Sequence, residues 1–429
     1  MTERRFGYRW TIVALLFVAT TINYVDRQVL GILAPTLQRD LHWTETDYGD
    51  IVSWFSLVYA FGFLGAGRVI DRIGVKRGLT AAVVAWSLAA IAHAFARTAA
   101  GFSLARGMLG LGESAIFPGS IKTIAEWFPK KERALAAGLF NAGTNMGAIL
   151  TPMIVPWIAL TWGWQWAFIA TGALGLLWLA LWIPLYRSPE VHPAVTPSEL
   201  AYIRGDPPES TTSVPWIRLL GYRQTWAFAV SKLFADPVWW FYLYWLPKFL
   251  DARYGVKLSG VALPLIAIYI VADAGSIGGG WVSSALIKRG WTVNRARKTT
   301  MLAMALLILP TALAPQATSL WTAVALVAVA AAAHQAWSAN AYTLASDMFP
   351  RSAVGSVVGI GAFAGAMGGV IFQRLIGRVL DANGHDYAPI FLVCGSAYLI
   401  GWVIIHLMVP RLEPIPPVIT SRTRQSSRA

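Results

Sequence analysis

The chain has 429 residues, 56% of them hydrophobic and only 13% charged, where soluble domains carry about 25% charged residues. A water-soluble fold of this length cannot hide that much apolar surface, so the composition excludes a soluble enzyme and makes the bilayer the solvent. The net charge of +14 sits in basic clusters between apolar runs, which argues against a nucleic-acid partner and for loops at an anionic lipid surface.

A span needs about 20 apolar residues. Runs near that length occur at roughly 10–36, 48–68, 79–97, 101–121, 134–159, 164–186, 226–250, 260–286, 299–316, 318–345, 354–378 and 387–409. They predict twelve helices, because backbone facing lipid must satisfy its own hydrogen bonds. The period-two alternation of a membrane barrel is absent. The first run is too long for a signal peptide and lacks its small-residue cleavage site, so none is expected. The lone Cys394 rules out a disulfide within the chain.

The first run, WTIVALLFVATTINYVDRQVLGILAPTL, carries Asn23, Asp26 and Arg27 near its middle. A charge at that depth costs several kcal/mol unless it faces protein or water. Adjacent helical residues point about 100° apart, so Asp26 and Arg27 are expected to face different partners. The second run carries Tyr59 and leads into GRVIDRIGVKR, with Gly67, Asp71, Arg72, Gly74, Lys76 and Arg77. Its glycines suit a tight two-residue turn between antiparallel helices. Asp71 suits a latch to a cation or helix N-terminus on a neighbour; a solvated basic loop is the alternative. In the fourth run, ARGMLGLGESAIFPG places Arg106 and Glu113 on one face, about 10.5 Å apart along the axis. Gly107, Gly110 and Gly112 let another backbone approach, and Pro118 kinks the helix below them. FNAGTNMG puts Asn141 and Asn145 on one face of the fifth helix.

Residues 187–224, rich in Pro, Ser and charge, read as a linker, within which TPSELAYIR has a capping-box-like start and suits a short surface helix. The expected organisation is a six-helix bundle over 1–186, a cytoplasmic linker over 187–224, a second six-helix bundle over 225–410 and a cytoplasmic tail over 411–429. The seventh run supplies VWWFYLYW, whose aromatics suit interfacial anchoring, with Trp239 among the candidates to touch a ligand. Lys232 and Asp236, at i and i+4, read as a local pair or a gate contact. HQAWSAN in the tenth run supplies His334, Gln335 and Asn340. Gln335 is the best hydroxyl-binding candidate there, and His334 is expected to be hydrogen-bonded between helices rather than in a proton relay. GIGAFAGAMGG reads as glycine packing between helices. There is no metal-ligand cluster and no phosphate loop, so no metal, cofactor or enzymatic activity is expected.

With the N-terminus taken as cytoplasmic, 25 Lys and Arg fall on connections of that side and 7 on the other. The bias puts both termini inside.

GRVIDRIGVKR resembles the major facilitator superfamily signature between the second and third helices. GGGWVSSALIKRGWTVNRARK is its degraded counterpart, with Ser284 where an acidic residue is expected, and GWQWAFIATG and SDMFPRSAVG are similar to the same superfamily. INYVDRQVLG, SWFSLVYAFG, ARGMLGLGESAIFPGS and HQAWSANAYTLASDMFP together resemble the anion:cation symporter branch, within it the bacterial hexuronate and aldonate transporters, and the hexuronate group most of all. Aldonate-type members carry Gln where this chain has Thr144, which weighs against an aldonate. The resemblance implies an all-α membrane protein of twelve transmembrane helices in two pseudo-symmetric six-helix bundles. It also implies a monomer in the bacterial inner membrane that imports an organic anion, a hexuronate or related sugar acid, with protons.

Arginine stays charged and offers a planar fork that matches a carboxylate, whereas aspartate and glutamate can take up and release a proton. Arg27 and Arg106 are therefore candidate substrate or charge-balance groups, and Asp26 and Glu113 candidate proton carriers. Asp26 is expected to carry the transported proton or pass it to Glu113, with Arg27 or Arg106 as its partner in one state. Asn23, Tyr59, Asn141, Asn145, Trp239, Gln335 and Asn340 are candidates for the hydroxyls and flat face of a sugar acid. Gly67, Asp71, Arg72, Gly74 and Arg77 are candidate gating residues. A proton-independent facilitator and an exporter of organic or aromatic acids remain rival readings. A non-transporting sensor is disfavoured, since it would need an output domain and the tail is only SRTRQSSRA.

Overall fold

The computed structural model describes residues 7–205 and 216–415. Residues 1–6, the linker stretch 206–215 and 416–429 of the expected tail lie outside the described residues, and with them Arg4, Arg5, Arg422, Arg424 and Arg428 of the charge count. All regular structure among the described residues is helical. One six-helix bundle holds α1 (Arg9–Leu41), α2 (Glu45–Ile73), α3 (Val75–His93), α4 (Ala99–Glu113) continued by α5 (Ile116–Trp127), α6 (Lys130–Trp162) and α7 (Trp164–Leu185). The short α8 (Pro197–Ile203) and α9 (Trp216–Leu219) lie in the linker. The second bundle holds α10 (Arg223–Tyr244) continued by α11 (Leu246–Tyr254), α12 (Ala262–Lys288), α13 (Val293–Ile308) with a 3₁₀ extension to Gln316, α14 (Leu320–Met348), α15 (Arg351–Ala382) and α16 (Ala388–Met408).

Ten stretches among the described residues are long and apolar enough to cross a bilayer. The other two expected spans are each broken, and a proline explains both. Pro118 clashes with the carbonyl four residues back, at Ser114, where α4 gives way to α5. Pro247 does the same to Leu243, and α10 gives way to α11 at Trp245. Helices also outrun their apolar stretches. Because α2 continues to Ile73, the expected two-residue turn shrinks to Gly74 alone, whose φ of +81° suits glycine.

The expected surface helix is α8, capped by Thr196, but its Glu199 does not fold back to complete a capping box. Its carboxylate accepts from Tyr8 N at 3.1 Å and Arg9 N at 3.2 Å, capping α1 from across the chain. Tyr202 Oη donates to Glu132 on α6 at 2.7 Å, so the start of the linker is fastened to the first bundle.

Within that bundle α1 packs on α6 and α2 on α4. A Cβ at Gly110 would stand 2.6 Å from the Phe55 carbonyl oxygen, so α4 crosses α2 backbone to backbone and brings its neighbours Arg106 and Glu113 up to α1.

The two bundles meet unevenly. At the far face, where α1 ends, Tyr48 Oη donates to the Tyr244 carbonyl at 2.6 Å. Arg39 pairs with Asp251 at 3.3 Å, Arg374 with Asp50 at 3.0 Å, and Lys248 with Glu45. The Asp381 carboxylate of α15 accepts from Glu45 N at 3.1 Å and Thr46 N at 2.8 Å, capping α2 of the other bundle. Deeper in the molecule Phe61 and Phe363 still touch, 5.6 Å apart. Toward the near face, where α1 begins, a Cβ at Gly65, Gly67, Gly355 or Gly359 would meet nothing within 4 Å. The bundles are thus sealed at the far face and part toward the near one.

The cap from Asp381 is a seal that opens only if the bundles separate. Asp381→Ala, which removes the cap, is expected to weaken it by about 1 kcal/mol, the usual worth of a helix cap, or about fivefold in the opening equilibrium. A cysteine at Val52, fully buried one turn beyond Tyr48, should then react several-fold faster with a polar maleimide; an unchanged rate removes Asp381 from the seal.

Candidate functional site

The polar residues of α1 lie where the bundles face each other. Arg27, buried to 4% exposure, places Nε at 2.9 Å and Nη2 at 2.7 Å from Glu113 Oε2 on α4, 86 residues away. Asn23, one turn earlier on the same face, lends Oδ1 to Nη2 at 3.5 Å. The guanidinium is caged by the rings of Tyr24, Phe55 and Tyr59 at 4.8, 5.0 and 5.1 Å. Tyr24 and Tyr59 keep part of their surface open, so the pair lies just under an aromatic cover. Glu113 is fully buried, and its Oε1 has no hydrogen-bond partner.

Arg106 does not join that pair. It is fully buried, with Nη2 donating to the Arg27 carbonyl at 2.5 Å and its plane between the rings of Phe55 (5.0 Å) and Tyr244 (5.5 Å). Its Nε and Nη1 have no partner. Two of its charged nitrogens are thus buried without a partner, an arrangement that costs free energy.

Asp26 points the other way, as the 100° step from Arg27 requires. It is 2% exposed and makes no ion pair. It faces the Thr171 hydroxyl of α7 without closing a hydrogen bond, and Glu113 and Arg106 are the charges within reach. The expected pairing of Asp26 with an arginine is therefore absent in this conformation: its side chain is turned away from Arg27, which Glu113 holds, and it makes no hydrogen bond to Arg106.

The remaining candidates divide. Asn141 is exposed and Asn145 half-buried on α6; Thr144 donates to the Asn141 carbonyl at 2.7 Å and to Asn145 Oδ1 at 3.2 Å. Gln335 is half-buried on α14. Trp239 stacks on His334 at 4.9 Å, and His334 Nδ1 meets Tyr398 Oη at 2.5 Å, so His334 bridges helices as expected. Asn340 is fully buried and donates to the carbonyls of Gly279 (3.0 Å) and Ala336 (2.9 Å), joining α12 to α14 rather than meeting the space between the bundles. Lys232 and Asp236 form a local pair at 2.8 Å. In the near-face connection, Asp71 accepts from Lys122 of α5 at 2.6 Å, while Arg72 and Arg77 are exposed and Gly67 lies beside the open gap. In the second bundle Arg297 occupies the corresponding junction, reaching Asp347 at 3.2 Å and Ser283 at 2.7 Å.

Sequence reasoning missed Tyr24 and Phe55 and read Tyr244 of VWWFYLYW mainly as an interfacial anchor, whereas all three cage the arginines. Tyr24 precedes Arg27 by three residues, a spacing that stacks side chains on one helix face, so that neighbour was there to be found. Tyr244 comes from the other bundle and carried no such signal.

A family model described as Major Facilitator Superfamily matches residues 16–373. The hexuronate transporter of Escherichia coli (strain K12) is 32% identical over 406 residues, covering 93% of each chain. The galacturonate transporter of Dickeya chrysanthemi is 32% identical over 333 residues, 76% of this chain and 96% of that one. A crystal structure of a bacterial homolog to the human lysosomal transporter Spinster superposes with a TM-score of 0.71 at 19% identity, covering 95% of this chain and 96% of the other.

Proposed function

We propose a function on the premise that this chain belongs to the Major Facilitator Superfamily: it imports a sugar acid, a hexuronate in the first place, together with protons. The relatives named for hexuronate and galacturonate support the substrate class. The observation that carries the reading is the Arg27–Glu113 pair, buried at the meeting of the two bundles beneath a tyrosine cover. Glu113 occupies the fork that a substrate carboxylate would take. When the substrate displaces it, a free carboxylate in a dry site is strongly disfavoured, so Glu113 takes a proton. One anion enters and one proton is bound, and the loaded centre carries no more net charge than the empty one.

Asp26, buried behind Arg27 and without an ion-pair partner, holds or relays a proton on the same path. The near face carries the basic connections and is cytoplasmic, with both termini. The bundles over 1–186 and 225–410 rock about the site, joined by the 187–224 linker, as alternating access requires. Asn141, Asn145, Tyr59, Trp239 and Gln335 are the partners for hydroxyls and the sugar face.

Proteoliposomes test the reading. Adding galacturonate outside should drive proton uptake into the lumen; binding and flux with no proton movement would leave a facilitator, and no binding of any sugar acid would overturn the substrate class. Asp26→Asn, which mimics the protonated form, should lower the accumulation ratio toward one while affinity stays within about threefold, or about 0.6 kcal/mol. A variant that still concentrates substrate against its gradient would take Asp26 out of the proton path.

A further inference from the structure

A cavity of about 590 Å³ lies between α2 and α4, apart from the charged site described above. Its origin is the crossing of the two backbones at Gly110. Gly107, one turn earlier, is close as well, since a Cβ on it would stand 3.3 Å from Val58 Cγ2. From there toward the far face the helices leave a groove, and the α4 wall is built of the small residues Ala99, Ala100 and Ser103. The groove opens on the outer surface of the bundle. Leu104, Met108 and Leu111 on its α4 wall are 68%, 55% and 56% exposed, and Trp54 on its α2 wall is 42% exposed. In a membrane-spanning bundle such a surface meets lipid chains.

Length and charge select the occupant. The groove starts at Ala99, the first residue of α4, and reaches Leu111, twelve residues on, so it runs about 18 Å along the helix. One leaflet of hydrocarbon is about 15 Å deep. The deep end is apolar, whereas the far-face end carries two carboxylates, Asp47 and Asp50 of α2. Asp47 Oδ2 is taken by the capping box with Thr44, while its Oδ1 makes no hydrogen bond among the described residues. Asp50 lies 3.0 Å from Arg374 of α15, whose Nε closes no hydrogen bond, and stays 44% exposed. Both carboxylates therefore keep acceptor capacity at the level of the lipid headgroups. We infer that the groove is a site for one phospholipid whose headgroup ends in a primary ammonium, with a chain lying along α2 and α4 and the ammonium at Asp47 and Asp50. A primary ammonium brings three donors to those oxygens, as a lysine does. A quaternary ammonium brings none, and an anionic headgroup is repelled. A partner's helix is too thick, since about 18 Å of a cylinder about 10 Å across fills about 1,400 Å³.

The test uses purified full-length protein in mixed micelles with phosphatidylethanolamine, phosphatidylcholine or phosphatidylglycerol bearing identical brominated chains, which quench tryptophan on contact. The Trp54 signal is the difference between wild type and Trp54→Phe. Brominated phosphatidylethanolamine should quench Trp54 saturably, at a mole fraction about fivefold lower than phosphatidylcholine needs, the worth of one exposed ion pair. Asp47→Asn combined with Asp50→Asn should erase that preference while quenching by all three lipids persists. If the double variant does not fold, Ala100→Phe, which fills the groove from an exposed position on α4, should abolish the saturable quenching. Equal quenching of wild type by all three lipids would mean ordinary boundary lipid, and stronger quenching by phosphatidylglycerol an anion site; either overturns the inference. So does a preference that survives the double variant, or saturable quenching that survives Ala100→Phe. Absence of Trp54 quenching by any lipid overturns it too, and disulfide cross-linking of two copies through a cysteine at Leu104 would then give the groove to a second copy.

Discussion

Replacing Glu113 by glutamine is expected to abolish proton-driven accumulation while substrate binding survives. Glutamine fills the same space and can still accept from Arg27, but it neither titrates nor competes as a charge. The anion then no longer has to displace a carboxylate, so affinity should rise by about tenfold, or about 1.4 kcal/mol, and lose its dependence on pH. Exchange of labelled for unlabelled substrate should continue, while the steady-state gradient falls to that of a passive carrier. The unliganded variant should also be less stable, because breaking a buried ion pair leaves Arg27 uncompensated at a cost of about 3–5 kcal/mol. Substrate should restore much of that loss in a thermal-unfolding scan. Persistent uphill transport would show that Glu113 is structural and that Asp26 alone couples the proton.

Arg27 should be the most sensitive position for binding. Arg27→Gln is expected to weaken sugar-acid affinity at least about a hundredfold, or about 2.8 kcal/mol. Arg27→Lys, which keeps the charge but loses the planar fork, should lose at least about tenfold. The Gln variant buries Glu113 without its cation, so poor folding could mimic poor binding. Arg27→Gln combined with Glu113→Gln removes both charges; it should fold and still fail to bind. Wild-type affinity in the double variant would remove Arg27 from the substrate contact. Arg106→Lys is expected to act differently. Arg106 holds the Arg27 carbonyl and lies between Phe55 and Tyr244, one ring from each bundle, so its loss should reduce turnover more than affinity.

The spans, the fold and the charged residues of the site could be read from the chain because each is a local property. Hydropathy over about 20 residues marks a helix in lipid. A seven-residue spacing put Arg106 and Glu113 on one face, and Pro118 marked its own kink, whereas the break before Pro247 was not read and the run over 226–250 was taken as one span. The four charges Asp26, Arg27, Arg106 and Glu113 stood out because burying each in lipid is costly. Lys232 and Asp236 could be paired on paper, since one helix fixes their geometry.

Which charge meets which was not written in any window. Periodicity gives the face of a helix but not the helix opposite, and that depends on how close two backbones come, as Gly110 against Phe55 shows. Glu113 rather than Asp26 therefore holds Arg27, and Asn340 bonds α12 instead of facing the gap. The far seal is the extreme case. Glu45 and Lys248 are 203 residues apart, and Asp381 caps a helix 335 and 336 residues before it. In the sequence these residues resemble ordinary loop charges, and they become partners only where the two bundles meet.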